Sequence, residues 1–159
     1  MSVWIVTAVR VLVDTNVLVY AHDRSEPLKQ PRAADMLDLL RDLGLGALSV
    51  QCLTEFFSVV TRKYDPPMTI AEATDLVEAF SLSWPVFPLT PAIVLEAARG
   101  AGAHQLAFWD ALIWAAARLN GVDIVLSEDF AHDRVVEGVR FVDPFRADLT
   151  AQLIEAWLA

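Results

Sequence analysis

The run Val9 to Val13 is short, apolar and β-branched, and it ends abruptly in the polar triplet Asp14-Thr15-Asn16. A run of that kind reads as a buried strand. From Asn16 to His22 apolar residues return at helical spacing, so the chain passes from strand directly into helix. The same alternation then recurs along the sequence, and it narrows the fold more than any other feature.

Pro31 to Leu43 carries apolar residues at helical spacing, with Gly44 as its C-terminal stop. Ala47 to Val50 forms a second strand. Ser49 caps the next helix, which runs to about Tyr64 and is stopped by Asp65-Pro66-Pro67. Thr69-Ile70-Ala71-Glu72 is a capping box that opens a helix to about Leu82. Trp84 to Leu89 reads as an edge strand, because Pro85 and Pro88 would break the ladder of a central one. Thr90-Pro91 opens another helix, with proline in its first turn. Phe108 to Leu119 is the most apolar helix and closes at Asn120-Gly121. Strands follow at Val122 to Leu126 and Val139 to Val142, and Arg146 to Leu158 makes a final amphipathic helix. Strands separated by helices imply a parallel sheet covered on both faces, an α/β chain of three layers, α/β/α. In such folds the site lies beyond the carboxyl ends of the strands.

Hydrophobic residues make up 55% of the 159 and charged residues 21%, which excludes a disordered chain and suits one domain over residues 1–159. The net charge of −9 argues against a surface coated for nucleic acid. It does not exclude an enzyme whose acidic site takes divalent cations, since those invert the local sign, and it favours a basic partner. Cys52 is the only cysteine, so no intrachain disulfide is expected, a reducing cytoplasm is implied, and a buried inert thiol is the expected state. The opening MSVWIVTAVRVLV is broken by Arg10 and lacks the flanks of a signal peptide. No apolar run reaches the roughly 18 residues of a membrane span.

Asp14 and Asp129 each follow a strand and so project at the carboxyl edge of the sheet, where either also serves as a cap or turn residue. Glu55 has Cys52, Phe56 and Val59 beside it, and Asp110 has Leu106, Ile113 and Trp114, so both are placed on or beside buried helical stripes. An unpaired buried carboxylate costs several kcal/mol. Arg62 and Arg118 lie seven and eight positions beyond these two acids, too far for a helical pair. A shared metal ion resolves the cost for all four, and oxygen-only ligands suit magnesium, with manganese as an alternative, and not zinc.

At these residues the chain resembles the PIN-domain ribonucleases, and within them the VapC-type toxins of bacterial toxin–antitoxin modules. The matching motifs are VLVDTNVLVY, Gln51-Cys52-Leu53-Thr54-Glu55-Phe56, Phe108-Trp109-Asp110-Ala111-Leu112-Ile113 and Leu126-Ser127-Glu128-Asp129-Phe130, in the family's order from roughly Val11 to Val142. The resemblance implies a PIN-like fold with metal-binding, catalytic acids at Asp14, Glu55, Asp110 and Asp129. It implies supporting polar contacts from Thr15, Asn16 and Ser127. Residues 1 to about 9 exceed the family's usual lead-in and read as an N-terminal extension, with about 146–159 as the C-terminal helix. The implied activity is magnesium-dependent hydrolysis of structured or single-stranded RNA by a cytoplasmic endoribonuclease, leaving a 5′-phosphate. The implied partners are a VapB-like antitoxin and a second copy of the chain, with a higher assembly between them and no membrane. The apolar residues of Ala33 to Leu43 and Phe56 to Val60 are the expected docking surface.

Two rivals stand beside this reading. A haloacid-dehalogenase-like phosphatase also begins strand–Asp, but it wants a second aspartate two positions on, where this chain has Asn16. A degenerate PIN domain acting as a non-catalytic RNA-binding scaffold would not need all four acids. His22, His104 and His132 have no metal-ligand spacing. Phe108, Trp109 and Trp114 are able to stack on bases, but at helical spacing in an apolar run they are expected in the core. Arg24, Lys29 and Arg62-Lys63 are able to guide phosphates, but a solvated face is the expected setting.

Overall fold

The computed structural model describes residues 9–146 together with Asp148, Leu149 and Ala156. Its elements are β1 (Val11–Val13), α1 (Thr15–Ala21), α2 (Lys29–Leu43), β2 (Gly46–Ser49), α3 (Val50–Arg62) and α4 (Ile70–Ser83). There follow β3 (Val86–Phe87), α5 (Pro91–His104), α6 (Phe108–Leu119), β4 (Ile124–Leu126), β5 (Val135–Val136) and β6 (Val139–Val142). The sheet runs β3-β2-β1-β4-β6-β5 and is parallel except for the β5–β6 hairpin. This is the three-layer α/β/α arrangement. Every residue of β1, β2 and β4 is buried, as strands covered on both faces must be.

Local chemistry sets the boundaries. The Ser49 hydroxyl accepts from the Cys52 amide at 3.2 Å, and Thr90 accepts from Ile93 at 3.3 Å. The capping box of Thr69 and Glu72 closes in both directions. Gly44 ends α2 with φ 66°, a left-handed turn that glycine takes without a Cβ penalty. Gly46 is needed for a different reason, since a Cβ there would lie 2.3 Å from the Trp84 ring. The edge strand around Pro85 contracts to Val86–Phe87, and it does lie at the edge beside β2. β5 was not foreseen, because two residues carry no readable period.

The core is continuous through the sheet, with Trp114, Phe56, Phe141, Leu12, Leu18, Leu40 and Leu48 fully buried. Each large side chain so buried contributes about 1.5–3 kcal/mol against the entropy of ordering it. Ala33, Leu37, Leu40, Phe56 and Val60 belong to this core. Of the docking surface expected over Ala33 to Leu43 and Phe56 to Val60, these residues face inward, whereas Leu43 is exposed and Phe57 lines an apolar groove of about 330 Å³ with Val50, Leu53 and Thr54 and with Val77 of α4.

Residues 1–8 of the expected N-terminal extension lie outside the described residues, as does most of the helix expected over Arg146 to Leu158. Arg146, Asp148 and Leu149 are not helical, whereas Ala156 is. The Arg32 guanidinium donates to the carbonyls of Arg146 and Leu149 and so ties this segment to α2. Among the described residues no helix is long and apolar enough to cross a membrane.

Candidate metal centre

β1 is flanked by β2 on one side and β4 on the other, so the chain turns away in opposite directions from its carboxyl end. The crevice of an open α/β sheet forms at such a point. Here the Asp14 amide donates to the Leu126 carbonyl at 2.9 Å, and the Ser127 amide to the Val142 carbonyl at 3.0 Å. The ends of β1, β4 and β6 are thereby stitched together.

Asp14 is both cap and site residue. One carboxylate oxygen accepts from the Thr15 amide at 2.8 Å, capping α1. The other accepts from the Ser127 hydroxyl at 2.7 Å and lies 3.4 Å from Asn16 Nδ2. The same Nδ2 reaches Ser127 Oγ at 3.1 Å and Asp129 Oδ2 at 3.2 Å. An amide nitrogen has only two hydrogens for these three acceptors, so Asn16 shares its donors among them. The Asp129 amide donates to Ser127 Oγ at 3.1 Å, and the Glu128 amide lies 3.4 Å from Asn16 Oδ1. The turn after β4 is therefore held to the start of α1 by side chains, with Ser127 fully buried as the pivot.

Glu55 enters from α3. Its Oε2 accepts from the Thr15 hydroxyl and its Oε1 from Gln51 Nε2, each at 3.0 Å. Gln51 Nε2 also lies 3.0 Å from the Trp109 carbonyl, which links α3 to the start of α6. Asp110, in the first turn of α6, completes the group. Gln51 had no assigned role in the sequence, although its spacing of four from Glu55 puts both on one helix face.

The electrostatics follow from crowding. Burial pushes the Asp14 carboxyl up to about 7, opposed by its bonds from Ser127 and Thr15 and reinforced by the charges of Asp129 and Glu55. Asp110 is likewise raised, first by desolvation and then by Asp129 and Glu55. The acids thus interact as one group. Burial is distributed differently from expectation, because Glu55 and Asp110 are only half-buried and Asp129 is exposed, whereas Asp14 is the deeply buried one at 7%. The desolvation cost falls on the member at the end of the central strand.

These residues fit a hard divalent cation. The donors are all oxygens, the acids repel one another, and no salt bridge neutralises any of the four among the described residues. Lys29, which pairs with the neighbouring Glu128 at 2.8 Å, is committed there. As the side chains stand, no three His, Cys, Asp or Glu among the described residues close around a single point. An open set of that kind suits an ion that keeps several waters, as magnesium does, and not an all-protein cage.

The remaining candidates separate cleanly. His22 packs edge-on against Phe56 and Phe80, His104 contacts Glu137 and His132 contacts Asp133, away from the acids. Cys52 is fully buried, and burial pushes its thiol up to about 12, as an inert core thiol requires. Trp114 is core, but Trp109 is 67% exposed and Phe108 42%, which corrects the expectation that all three are internal. Lys63 is exposed, as a solvated face requires, and it also lines an open cleft of about 390 Å³ with Thr15, Asn16, Tyr20, Asp23, Glu26, Glu55 and Asp129.

No curated protein sequence matches the chain. A toxin–antitoxin complex from Klebsiella pneumoniae is similar in structure at 18% identity, over 84% of this chain and 97% of that one, with a TM-score of 0.58. Mycobacterium tuberculosis VapC20, described as a toxin cleaving the sarcin-ricin loop, matches at 17% identity over 72% of this chain and 86% of its own, with a TM-score of 0.53. DNA-bound VapBC from Salmonella typhimurium matches at 17% identity over 86% and 98%, with a TM-score of 0.61. At these identities the likeness establishes the fold. The sequence itself matches the model of the PIN domain over residues 11–138, from the first residue of β1 to the β5–β6 turn, and by that span the chain belongs to the PIN-domain family.

Proposed function

We propose that the chain is a magnesium-dependent endoribonuclease, the toxin of a type II toxin–antitoxin module. The observation that carries the reading is the convergence of Asp14, Glu55 and Asp129 at the carboxyl end of β1, linked by Thr15, Asn16 and Ser127, with Asp110 close enough to feel the charges of Asp129 and Glu55 and no salt bridge to any of the four among the described residues. Asp14 and Asp110 would be the principal ligands of magnesium or manganese, with Glu55 and Asp129 completing the shell or orienting water. When bound, such an ion neutralises phosphate charge and acidifies water for attack on phosphorus.

The protein's own contribution is positioning. Ser127 and Thr15 fix both oxygens of Asp14, so that carboxylate meets its ligand in one orientation at little further entropic cost. Thr15 and Gln51 each donate to a different oxygen of Glu55, which lines the cleft. Asn16 couples Asp129 to Asp14 and keeps the turn after β4 from swinging away. Ser127, the serine beside Asp14, is fully buried with its hydroxyl donated to that carboxylate, which suits attack by water rather than by a side chain.

The structural neighbours include toxin–antitoxin complexes, and the acidic surface of this chain suits a basic antitoxin segment. Such a partner, a homodimer and a cytoplasmic setting complete the proposal. The deciding experiment incubates structured RNA with the wild-type chain and with Asp14→Asn, in magnesium and in excess chelator. The expected result is wild-type cleavage leaving 5′-phosphate ends, lost in chelator and reduced at least a hundredfold in the variant. Equal cleavage by both proteins would refute the assignment. Magnesium binding without any cleavage would instead identify a scaffold.

A further inference from the structure

We infer that Lys63 is the phosphate-positioning residue of this site, gripping an RNA phosphate beside the one that is cleaved. The inference rests on the nuclease reading above and concerns how that site holds its substrate.

The cleft that contains Glu55 and Asp129 also contains Asp23 and Glu26, so a polyanion entering it meets repulsion along its length. Cations on the acids relieve only the part nearest them. Among the described residues lining the cleft, Lys63 is the one basic side chain. Lys29, outside this cleft, is committed elsewhere. It is fixed by Glu128 at 2.8 Å and Tyr20 at 3.3 Å, and its ammonium stands over the Tyr20 and Phe145 rings. Lys63 makes no salt bridge among the described residues, although two acids line the same cleft from α1's end onward. Its ammonium is therefore available to a ligand.

Its backbone is nonetheless well placed. Lys63 is the C-terminal cap of α3, and its amide donates to the Val59 carbonyl at 2.7 Å. The adjoining Tyr64 hydroxyl donates to the Val19 carbonyl of α1. Lys63 is thus anchored to the two helices that carry Glu55 and Asn16. The eight residues from Glu55 to Lys63 span about 12 Å of helix. A lysine at that distance grips a neighbouring phosphate and leaves the one under attack to the acids and their cation. The contact is a binding contact, felt in KM and in salt dependence, and not in the chemical step.

The test uses a labelled, mixed-sequence, single-stranded oligoribonucleotide and the full chain as wild type, Lys63→Gln and Lys63→Arg. Binding is followed by fluorescence anisotropy from about 50 to 200 mM salt with calcium replacing magnesium, and cleavage kinetics are measured in magnesium. Lys63→Gln is expected to weaken binding several-fold and to flatten the slope of log Kd against log salt by about 0.7, the increment for one phosphate contact on a single strand. KM rises with kcat unchanged, and Lys63→Arg restores both slope and KM. A slope unchanged in Lys63→Gln, in a wild type that binds and cleaves, overturns the role of Lys63 alone. A loss confined to kcat does the same. Wild-type protein that neither binds nor cleaves overturns the nuclease reading with it.

Discussion

At the scale of single residues the site is organised around Asp14, whose carboxyl is buried and pushed up to about 7 chiefly by desolvation. Its folded pKa lies above the ordinary aspartate value of 3.8, so the native state holds the proton more tightly than the unfolded chain does. Stability from this group is therefore present below about pH 4, declines as pH rises, and is fully lost above about pH 7. Replacing Asp14 by Asn removes the titration and the buried charge together. The difference in melting temperature between Asp14→Asn and the metal-free wild type should accordingly grow from pH 4 to pH 7 and then level off. The variant should be higher by about 2–6 °C at alkaline pH. Differential scanning calorimetry in chelator measures this, and a difference that shrinks with rising pH contradicts it. A site residue whose removal stabilises the fold is the usual sign of a group retained for function. The sequence exposed the position of Asp14 through the D-T-N triplet after a strand, yet it pointed to Glu55 and Asp110 as the costly acids. Helical spacing reports which face a residue occupies. It does not report how deeply a given position is covered, so Glu55 and Asp110 are only half-buried, the latter behind the exposed first residues of α6.

Among the elements, α6 shows most clearly what periodicity conveys and what it loses. Its boundaries, Phe108 and Leu119, are those the sequence implies. Because the helix is apolar nearly all round, no polar stripe distinguishes its buried face from the end that emerges beside the acids. Trp114 packs on α5 so closely that a Cβ at Gly100 would lie 2.2 Å from its ring, and its indole nitrogen donates to the Val136 carbonyl at 3.1 Å. Trp109 stands in the open one residue before Asp110. The two tryptophans should respond oppositely to truncation. Trp114→Ala removes a buried ring and strands a carbonyl, at a cost of about 3–5 kcal/mol, while Trp109→Ala should stay within about 0.5 kcal/mol of wild type. Urea unfolding curves separate the cases, and a large loss in Trp109→Ala would place that ring in a packed environment after all. The β5–β6 hairpin makes the same point for strands. Val139–Val142 is long enough to alternate and was legible, whereas Val135–Val136 owes its pairing to the partner strand and the glycine turn at Gly138.

Across the whole molecule, the strand order could not be read in advance, because pairing is a non-local property that short apolar runs leave undetermined. Alternation of strand and helix does require a parallel sheet, and a parallel sheet places every strand–helix junction with Asp14, Glu55 and Asp129 at one edge. Convergence of the acids was therefore legible even though their distances were not. The consequence is a chain of net charge −9 that concentrates several of its acids where, among the described residues, no salt bridge pairs with them. Divalent cations that bind only the folded state should then stabilise the entire domain by mass action, by about 2.7 kcal/mol at a hundredfold excess over Kd. For a chain of this length that corresponds to a rise in melting temperature of about 5–10 °C. Magnesium and manganese should both produce it at neutral pH, and potassium at matched ionic strength should not, since screening acts on all surface charges alike. Asp110→Asn, at the half-buried end of the group, should keep the metal-free melting temperature near wild type and lose most of the increment. If potassium matches magnesium, or if Asp110→Asn gains as much from the ion as wild type does, the acids are a repulsive cluster and not a binding site.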